Sequence, residues 1–515
     1  MSAPAILLIN PRMSSPTGTR LPLSLLHLAA ALDDDRPWSI LDGNLEPELA
    51  PAALAALAAR PHALVGISVM PGPQVAPAIA ISSAIRAAYP ALPIVWGGYF
   101  PTLYPDAALQ APYVDYVVRG QGEQTLRDLL SRVAEAGPPS ARDSALDTSA
   151  IASIAGLSWK SAGAAVHNAD RAVIPPGAFP ALPYHRLHDT ATYLRPSFLG
   201  ERTAVHQVAV GCRYRCEFCG VVSMWNGKTL LDAPDRLAQS LTLLRDRWGA
   251  DSVQFYDHNF FDREENSSPI LDVLGTLRLP WWCYARADTL AGFSASTWEK
   301  IRRSNLRMAY IGAEAASDEA LKRMHKGARV GQTLEVAVRC REYGVIPEFS
   351  FVLGGPQDPE GEIEKTFGFI RRLKELNPQS EIILYFYTPT PQRAPAHLGR
   401  PTSGPRLPML RSPGPSGTTM PATPEEWAEP RWVRWACHQE APWLTPRLRQ
   451  RVRDFGRVLG CRFPTVQDYR TPAWGKAVLR GLAGWRYAGQ HYDRPWELAL
   501  ARRLIPLREP RSESL

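Results

Sequence analysis

The 515-residue sequence predicts an α/β chain in three parts: a Rossmann-like doubly wound sheet, a partial (β/α)6 barrel of the TIM type, and a mostly helical C-terminal segment. Two stretches in which short apolar runs alternate with amphipathic segments predict the sheet and the barrel. A third stretch has helical periodicity only. The predicted parts are residues 1–140, a linker with a small hairpin over 141–195, the barrel over 196–392, a Pro/Gly-rich loop over 393–423, and helices over 424–515.

The composition is that of an ordinary globular protein, with 21% charged and 45% apolar residues. No run of about 18 apolar residues occurs, and the N-terminus has no basic leader region. We therefore expect a cytoplasmic protein without a membrane span. The net charge of +8 is spread out, except near Arg502, Arg503, Arg508 and Arg511. A nucleic-acid binder more often has a basic stripe with aromatic residues, so we expect no nucleic-acid partner.

The first part contains five short apolar runs, each followed by a candidate helix. The runs are AILLI (5–9), WSIL (38–41), ALVGIS (63–68), PIVWGG (93–98) and VDYVV (114–118). Ligands of doubly wound sheets bind at the carboxyl ends of the strands. The residues expected to line this crevice are Asn10, Asp42, Ser68, Gly97, Gly98, Arg119 and Gly120.

A linker and a hairpin follow. Residues 137–150 are rich in Ala, Pro, Ser and Asp, which is typical of a linker. Residues 154–168 alternate around Gly163 like a hairpin, and the proline-rich stretch 175–187 leads into the next domain. We place the domain boundary near residue 190.

The second alternating stretch has a longer period and predicts the barrel. Its six candidate strands are residues 204–210, 252–257, 281–286, 308–314, 347–354 and 382–388. Active sites of parallel barrels lie at the carboxyl ends of the strands. The chemically useful residues at or near those ends are Tyr256, Asp257, His258, Asn259, Arg286, Glu314, Ser350, Gly354, Gly355, Tyr385 and Tyr387.

Three cysteines, Cys212, Cys216 and Cys219, follow the first predicted barrel strand in GCRYRCEFCG. A [4Fe–4S] cluster normally takes four thiolates, so three from one loop leave an iron open to a small molecule. A zinc site would need a fourth ligand, for which His206 is the nearest candidate, although it lies in an apparently buried strand. An unligated group of cysteines is the other alternative. The four scattered cysteines and the odd total favour a reducing compartment over a disulfide framework.

The Cys-x3-Cys-x2-Cys spacing, with Phe218 before the last cysteine, resembles the radical S-adenosylmethionine (SAM) enzymes. The resemblance implies a [4Fe–4S] cluster on the three cysteines, with SAM chelating the open iron and being cleaved on reduction to a 5′-deoxyadenosyl radical. The segments GAEAAS (312–317) and FVLGGP (351–356) resemble SAM-contacting segments of the family. Glu314 could instead form an ion pair with Arg286. The implied SAM contacts are Phe218, Gly220, Asp257, Arg286, Glu314, Ser350 and Gly354.

The first part resembles the cobalamin-binding domain that precedes the barrel in one large subgroup of these enzymes. The matching strings are INP (9–11), LDGNLE (41–46), GISVM (66–70), GGYFPT (97–102) and VDYVVRGQGE (114–123), which add Asn44, Gly122 and Glu123 to the candidate cobalamin contacts. Asn44 and Pro47 replace the histidine and glycine of the Asp-x-His-x-x-Gly signature. The resemblance therefore implies cobalamin in a base-off, His-off form. The alternative is a Rossmann-like domain that binds nothing.

The order of the two halves implies a cobalamin-dependent radical SAM enzyme. The expected activity is C-methylation of an unactivated carbon through the 5′-deoxyadenosyl radical and methylcobalamin. The alternatives are an oxidative cyclase or rearrangement enzyme that resembles the anaerobic magnesium-protoporphyrin cyclase, and a non-catalytic Fe–S or cobalamin sensor. The implied partners are a small-molecule or peptide substrate and a one-electron reductant of the flavodoxin or ferredoxin type.

The sequence leaves open which residues are catalytic and what the C-terminal tryptophans do. No residue is assigned as catalytic; the candidates are His258, Tyr385 and Tyr387. A histidine titrates near neutral pH, but His258 beside Asp257 could equally be structural. The C-terminal part is dense in tryptophan, which favours either helix packing onto the barrel or a lid over a large apolar substrate. The tryptophans concerned are Trp427, Trp432, Trp435, Trp474, Trp485 and Trp496.

Overall fold

The computed structural model describes residues 4–13, 19–32, 36–135, 148–187, 189–225, 227–388, 420–439, 441 and 443–507. Two separate sheets within these residues confirm the predicted α/β class. Most of the predicted linker and of the predicted Pro/Gly-rich loop lies outside the described residues, as do Arg508 and Arg511.

The first sheet has seven strands in the order β2-β1-β3-β4-β5-β6-β7. The first five are parallel, and the last two pair antiparallel. The hairpin predicted around Gly163 forms from β6 and β7, and it extends the sheet beside β5. The strands are β1 Ala5–Asn10, β2 Trp38–Asp42, β3 His62–Ser68, β4 Ile94–Gly97, β5 Tyr116–Val118, β6 Leu157–Ser161 and β7 Ala164–His167. The domain boundaries proposed at residues 140 and 195 stay predictions.

Helices cover both faces of this sheet, as the doubly wound class requires. Successive β1 side chains point to opposite faces: Ile6 and Leu8 pack in one core with α1 and α6 residues, whereas Leu7 and Ile9 pack in another with α2 and α3 residues. All four side chains are fully buried. The helices are α1 Leu23–Ala31, α2 Leu49–Ala59, α3 Val75–Ala88, α4 Tyr99–Leu103, α5 Pro105–Gln110, α6 Glu123–Glu135 and α7 Thr148–Ala152.

The second sheet has six parallel strands in the order β8-β11-β12-β13-β14-β15, which confirms the partial barrel. A separate two-stranded ribbon, β9-β10, lies beside it. The strands are β8 Thr203–His206, β9 Ala209–Gly211, β10 Thr229–Leu231, β11 Ser252–Phe255, β12 Trp281–Arg286, β13 Leu306–Glu314, β14 Ile346–Leu353 and β15 Glu381–Phe386. The helices that follow or connect them are α8 Val221–Trp225, α9 Pro234–Trp248, α10 Glu264–Leu277, α11 Ala287–Ala291, α12 Ala295–Arg303, α13 Asp318–Arg323, α14 Val330–Glu342 and α15 Pro359–Leu376.

The first predicted barrel strand, 204–210, is wrong as a single element because it divides into β8 and β9. The carboxylate of Asp257 accepts hydrogen bonds from the backbone N–H groups of Val208, at 3.0 Å, and Ala209. These bonds satisfy the backbone where the chain leaves the barrel, and β9 then pairs antiparallel with β10. The cysteine loop therefore follows β9 rather than the barrel strand itself.

The C-terminal part is helical in its described residues, as predicted. The helices are α16 Pro424–Trp427, α17 Pro430–Ala436, α18 Pro446–Arg462, α19 Ala473–Ala488 and α20 Trp496–Leu504. α18 packs on the barrel helix α15, where the rings of Phe367 and Phe455 stack with centroids 3.8 Å apart. None of the described helices is long and apolar enough to span a bilayer.

The C-terminal helices α18, α19 and α20 pack onto the barrel, as one interpretation of the sequence held, but none of the six tryptophans belongs to that core. The six divide into two groups. Trp427, Trp432 and Trp435 are buried in a core of the first domain, not against the barrel. Trp427 contacts Phe100 there, with ring centroids 5.8 Å apart. The other three, Trp474, Trp485 and Trp496, are exposed to solvent. None of the six lines the cavity described below.

Candidate functional site

One cavity of about 1120 Å³ joins the carboxyl edge of the first sheet to the interior of the barrel. Eight of the ten candidate cobalamin contacts line it: Asn10, Asn44, Ser68, Gly97, Gly98, Gly120, Gly122 and Glu123. The barrel wall includes Gln254, Tyr256, His258, Trp282, Tyr284, Tyr310, Glu348 and Tyr385. A third wall comes from the end of α18 and the loop after it, through Leu459, Gly460, Phe463, Thr465, Gln467 and Tyr469.

Asp42 does not line the cavity but orients two residues that do. Its Oδ1 accepts hydrogen bonds from Asn10 Nδ2 at 3.0 Å, from Asn44 Nδ2 at 2.9 Å and from the Asn44 backbone N–H at 3.0 Å. Gln74 Nε2 donates to Asn10 Oδ1 at 3.0 Å. Burial raises the pKa of Asp42. Asp42 therefore positions Asn10 and Asn44, and its direct contact with cobalamin stays a prediction.

Two features shape the cavity wall at the first sheet. Gly98 has a φ of +93°, and a Cβ there would lie 3.1 Å from Ser68 Oγ and from the Val69 backbone. Only glycine allows this backbone conformation without strain. Glu123, at the start of α6, is buried, and this burial raises its pKa to about 7. The wall therefore combines exposed backbone with a carboxyl group that is readily protonated.

Arg119 is, with Asp42, one of two candidate cobalamin contacts that do not line the cavity. Its buried guanidinium donates to the carboxylate of Asp170 and to the backbone carbonyl of Asn168, and it is absent from the cavity wall. The side chain thus ties the segment after β7 to the end of β5. Its position at a strand end predicted the cavity edge, but that position does not determine which way the side chain points.

The cysteine loop places three thiols close to two cations. Arg286 Nη1 lies 3.4 Å from Cys216 Sγ, and the guanidinium lies 3.5 Å from the ring centre of Tyr214. The pKa of Cys219 is raised to about 12, first by burial and then by the charges of Cys216 and Cys212, while a hydrogen bond from the Val221 backbone and the charge of Lys326 oppose the rise. The thiols therefore interact electrostatically with one another. Three thiols flanked by cations form a donor set that fits an anionic iron–sulfur cluster.

The geometry does not favour the zinc alternative. Across the part of the chain that the structure describes, no three His, Cys, Asp or Glu side chains converge as ligands of a single metal ion. His206, the candidate fourth ligand, is buried, and its Nδ1 hydrogen-bonds the Tyr184 hydroxyl at 2.7 Å. A four-iron cluster spreads its ligands over several irons and does not require them to meet at one point.

Glu314 ends β13 as part of a buried ion pair. Lys326 Nζ lies 2.7 Å from Glu314 Oε1, and Arg286 pairs with Asp288 instead, at 2.9 Å. The suggested Glu314–Arg286 pair is therefore wrong. A Cβ on Gly312 would lie 2.6 Å from Lys326 Nζ, so the glycine makes room for the pair. Glu314 has a φ of +63°, in the left-handed region that non-glycine residues seldom occupy.

The other candidate SAM residues have different surroundings. Asp257 is fully buried, holds the turn before β9, and has a pKa raised by burial to about 7. Ser350 is buried beside Tyr310, to which it is hydrogen-bonded. Gly354 has a φ of +72°, and its carbonyl accepts a hydrogen bond from Trp443 Nε1. Phe218 packs in a small cluster with α13 residues.

The three candidate catalytic residues differ in their access to the cavity. His258 lines it, and burial lowers the pKa of His258 to about 4, below that of a free imidazole. Its Nδ1 accepts a hydrogen bond from the Gly211 N–H at 3.3 Å. Tyr385 also lines the cavity, and its hydroxyl accepts from Tyr310 at 2.9 Å. Tyr387 packs against Trp443 and does not line the cavity.

Sequence reasoning missed an aromatic wall and an acidic floor inside the barrel. Trp282, Tyr284 and Tyr310 form edge-to-face contacts, with centroid distances of 4.5 Å and 5.1 Å between neighbours. At the floor, Gln467 Nε2 donates to Glu348 at 2.6 Å and to Glu381 at 3.2 Å. The alternation of side chains along β12 could have identified Trp282 and Tyr284. No sequence pattern near Gln467 indicated that its side chain would hydrogen-bond to Glu348 and Glu381 inside the barrel.

Comparisons with known proteins match both halves of the chain. Residues 12–130 match the B12 binding domain family, and residues 207–370 match the radical SAM superfamily. Together the two matches cover more than half of the chain. They confirm the two domain types and their order as expected from the sequence.

Individual relatives are distant. The chain is 23% identical to an uncharacterized methyltransferase of Pyrococcus horikoshii over 369 residues, covering 68% of this chain and 73% of the relative. It is 22% identical to an anaerobic magnesium-protoporphyrin IX monomethyl ester cyclase of Synechocystis over 331 residues, covering 61% of this chain and 59% of that protein. Among solved structures, the radical S-adenosylmethionine methyltransferase TsrM from Kitasatospora setae aligns with a TM-score of 0.59 at 19% identity, covering 75% of this chain and 73% of the other.

Proposed function

We propose that this chain, which joins a B12-binding domain to a radical SAM domain, is a cobalamin-dependent radical SAM enzyme that methylates an unactivated carbon. The observation that carries the proposal is the single cavity between the carboxyl edge of the B12-binding sheet and the barrel interior. The cysteine loop would border this space rather than line it, because Met224 and Trp225, just after the loop, line the cavity, as does Tyr99, which packs against Gly220. The methyltransferase relative and the TsrM fold support the same assignment.

Cys212, Cys216 and Cys219 would hold a [4Fe–4S] cluster. When bound, the cluster with SAM supplies a hydrogen-abstracting radical, and cobalamin supplies the methyl group. The chain's own contribution is electrostatic and positional. Arg286 and Lys326 place positive charge beside the thiolates, which favours an anionic cluster. Asp257 holds the turn that leads into the loop.

SAM would lie near Phe218, Gly220, Asp257, Arg286, Glu314, Ser350 and Gly354. Glu314 is the residue best suited to a charged contact, because its carboxylate is buried and fixed by Lys326. Asn10, Asn44, Ser68, Gly97, Gly98, Gly120, Gly122 and Glu123 would contact cobalamin, since all of them line the cavity. With Asn44 in place of the signature histidine, that position supplies no imidazole to cobalt.

The proposed chemistry also requires partners outside the chain. The electron would come from a one-electron carrier of the flavodoxin or ferredoxin type, and the substrate would be a small molecule or a peptide. A reduced carrier and an oxygen-sensitive cluster are compatible with the cytoplasm.

The test is anaerobic reconstitution with iron, sulfide and cobalamin, followed by absorption spectroscopy and analysis of SAM products in the presence of a reductant. Methyl transfer predicts S-adenosylhomocysteine and 5′-deoxyadenosine together. Cys216→Ala should abolish deoxyadenosine formation, whereas Cys437→Ala, outside the loop, should retain it. Cleavage of SAM by Cys216→Ala protein would refute the cluster assignment.

Oxidative cyclisation is the second candidate because the chain also matches the anaerobic cyclase of Synechocystis. The aromatic barrel wall would suit a large planar substrate as well. Deoxyadenosine without S-adenosylhomocysteine would favour this activity. Neither product, with candidate substrates present, would favour a sensor.

A further inference from the structure

α19 and α20 carry an apolar face that points to solvent. Its seven members are large side chains, and the most exposed are Leu504 at 83%, Trp496 at 71% and Trp474 at 65%. They are Trp474, Val478, Leu482 and Trp485 on α19, and Trp496, Leu500 and Leu504 on α20. We call this set the α19–α20 face. Isolated exposed apolar residues are common in proteins, but a grouped set of this kind marks an interaction surface.

The spacing shows that the face is a regular feature of both helices. On α19 its members recur at intervals of four, four and three residues, and on α20 at intervals of four, which places each set on one side of its helix. The opposite sides are already buried: Leu479 and Ala483 of α19 and Leu498 of α20 belong to the barrel core. Packing among the residues that the structure describes therefore does not account for the outer face.

Exposed arginines accompany the face. Arg470 precedes α19, Arg480 lies on α19 and Arg503 lies on α20, whereas Lys476 and Arg502 are only partly exposed and donate hydrogen bonds to the backbone carbonyls of Thr465 and Leu507. The nearby acidic residues are engaged elsewhere, since Glu497 pairs with Arg486 and Asp493 pairs with Arg451. A symmetric contact between two copies of this face would bring cations against cations. Anionic headgroups would instead neutralise them.

We propose that the α19–α20 face docks the protein on a bilayer surface that contains anionic phospholipids. Helices that lie in the headgroup region combine tryptophan and leucine on one side with arginine or lysine on the polar side. Tyr469, which precedes α19 in the chain, is 43% exposed and also lines the cavity wall. The proposal does not depend on the reaction that the cavity performs.

The test is flotation of the full-length reconstituted protein with vesicles of phosphatidylcholine alone and of phosphatidylcholine with phosphatidylglycerol. We expect binding to the mixed vesicles and little to the neutral ones. The variant Trp474→Ser/Trp485→Ser/Trp496→Ser should lower the partition coefficient by about tenfold or more. Val338→Ser, which removes an exposed apolar side chain from α14, is the matched control and should bind like the wild type.

Charge reversal gives an independent measurement. Arg480→Glu/Arg503→Glu should weaken binding to the mixed vesicles while leaving the apolar face intact. Circular dichroism and iron content of every variant show whether it is folded, so unfolding is not mistaken for loss of binding. Absence of vesicle binding by the wild type, or unchanged binding by the tryptophan variant, would overturn the proposal. A wild-type dimer that the tryptophan variant converts to a monomer, without vesicle binding by either, would assign the face to a second copy.

Discussion

The backbone of Gly220 lies directly against the ring of Tyr99, and a Cβ on residue 220 would come within 2.6 Å of Tyr99 Cε1. Gly220 follows the last cysteine of the loop, and Tyr99 follows Gly98 at the edge of the first sheet. The two domains thus meet at the point where their candidate sites approach each other. The fit leaves no space for a larger residue at position 220.

We predict that Gly220→Ala destabilises this junction. The added methyl group must displace the Tyr99 ring, at a cost of about 1–3 kcal/mol for overpacking. Tyr99→Ala should relieve part of that cost, so the double variant should be more stable than the sum of the single effects implies. Thermal melting and the cobalamin retained after gel filtration measure the outcome. Strictly additive effects would show that the two residues do not press on each other.

Glu314→Gln should weaken SAM binding without affecting the cluster. The change keeps the shape of the side chain but removes the negative charge that Lys326 now faces. Loss of a charged hydrogen bond costs about 1.5–3 kcal/mol, which corresponds to roughly tenfold or more in the dissociation constant. Equilibrium dialysis of SAM against iron-loaded protein checks this. Unchanged affinity would restrict Glu314 to a structural role.

Arg119→Ala should reduce stability rather than cofactor affinity. The variant leaves Asp170 and the Asn168 carbonyl without their buried partner, at a cost of about 2–4 kcal/mol. Cobalamin titration of the folded protein should match the wild type, whereas Asn44→Ala should weaken it. Loss of cobalamin affinity in Arg119→Ala protein, with an unchanged melting temperature, would reinstate Arg119 as a contact.

Trp427→Ala and Trp474→Ala form a matched pair. Trp427 is buried against Phe100 and Tyr104 of the first domain, so its truncation should cost about 3–5 kcal/mol. Trp474 is exposed, so its truncation should change stability by about 0.5 kcal/mol or less. Thermal melting of the two variants measures the difference. Equal effects would contradict the assignment of α16 to the first domain's core.

Lys374 should make stability depend on pH above neutrality. Burial lowers the pKa of Lys374 to about 7, with Glu381 opposing the shift. An unfolded lysine has a pKa of about 10.4, so between these values the unfolded chain binds a proton that the folded chain does not. The free energy of unfolding therefore rises with pH across this window, by up to about 1.4 kcal/mol per pH unit. Lys374→Met should lose this contribution. If the stability of the wild type and that of the variant changed with pH in the same way from pH 7 to pH 9, the lowered pKa of Lys374 would be refuted.

Local spacing made much of the fold predictable. Short continuous apolar runs located β1, β3 and β12 to within a residue or two, and the order of strands and helices predicted both sheets. Because ligands of such sheets bind at strand ends, Asn10, Ser68 and Gly97 could be placed on one cavity wall before the structure was known. The assignment of individual residues to SAM and to cobalamin stays a prediction.

Long-range contacts account for what the sequence did not predict. The break between β8 and β9 depends on the Asp257 carboxylate, which arrives from the following barrel strand. The orientation of Arg119 depends on Asp170, and the destination of Trp427 depends on Phe100 of another domain. None of these partners is close in sequence, so periodicity around each residue contains no information about them.

Thr465, Gln467 and Tyr469 form a cavity wall that belongs to neither the first sheet nor the barrel. A descendant of this chain could therefore acquire a new substrate by changing one short surface loop, while every residue proposed to hold a cofactor stayed the same. Sequence divergence among its homologues should then concentrate between α18 and α19. The same loop is the natural place to begin if the enzyme is to be redirected by laboratory selection.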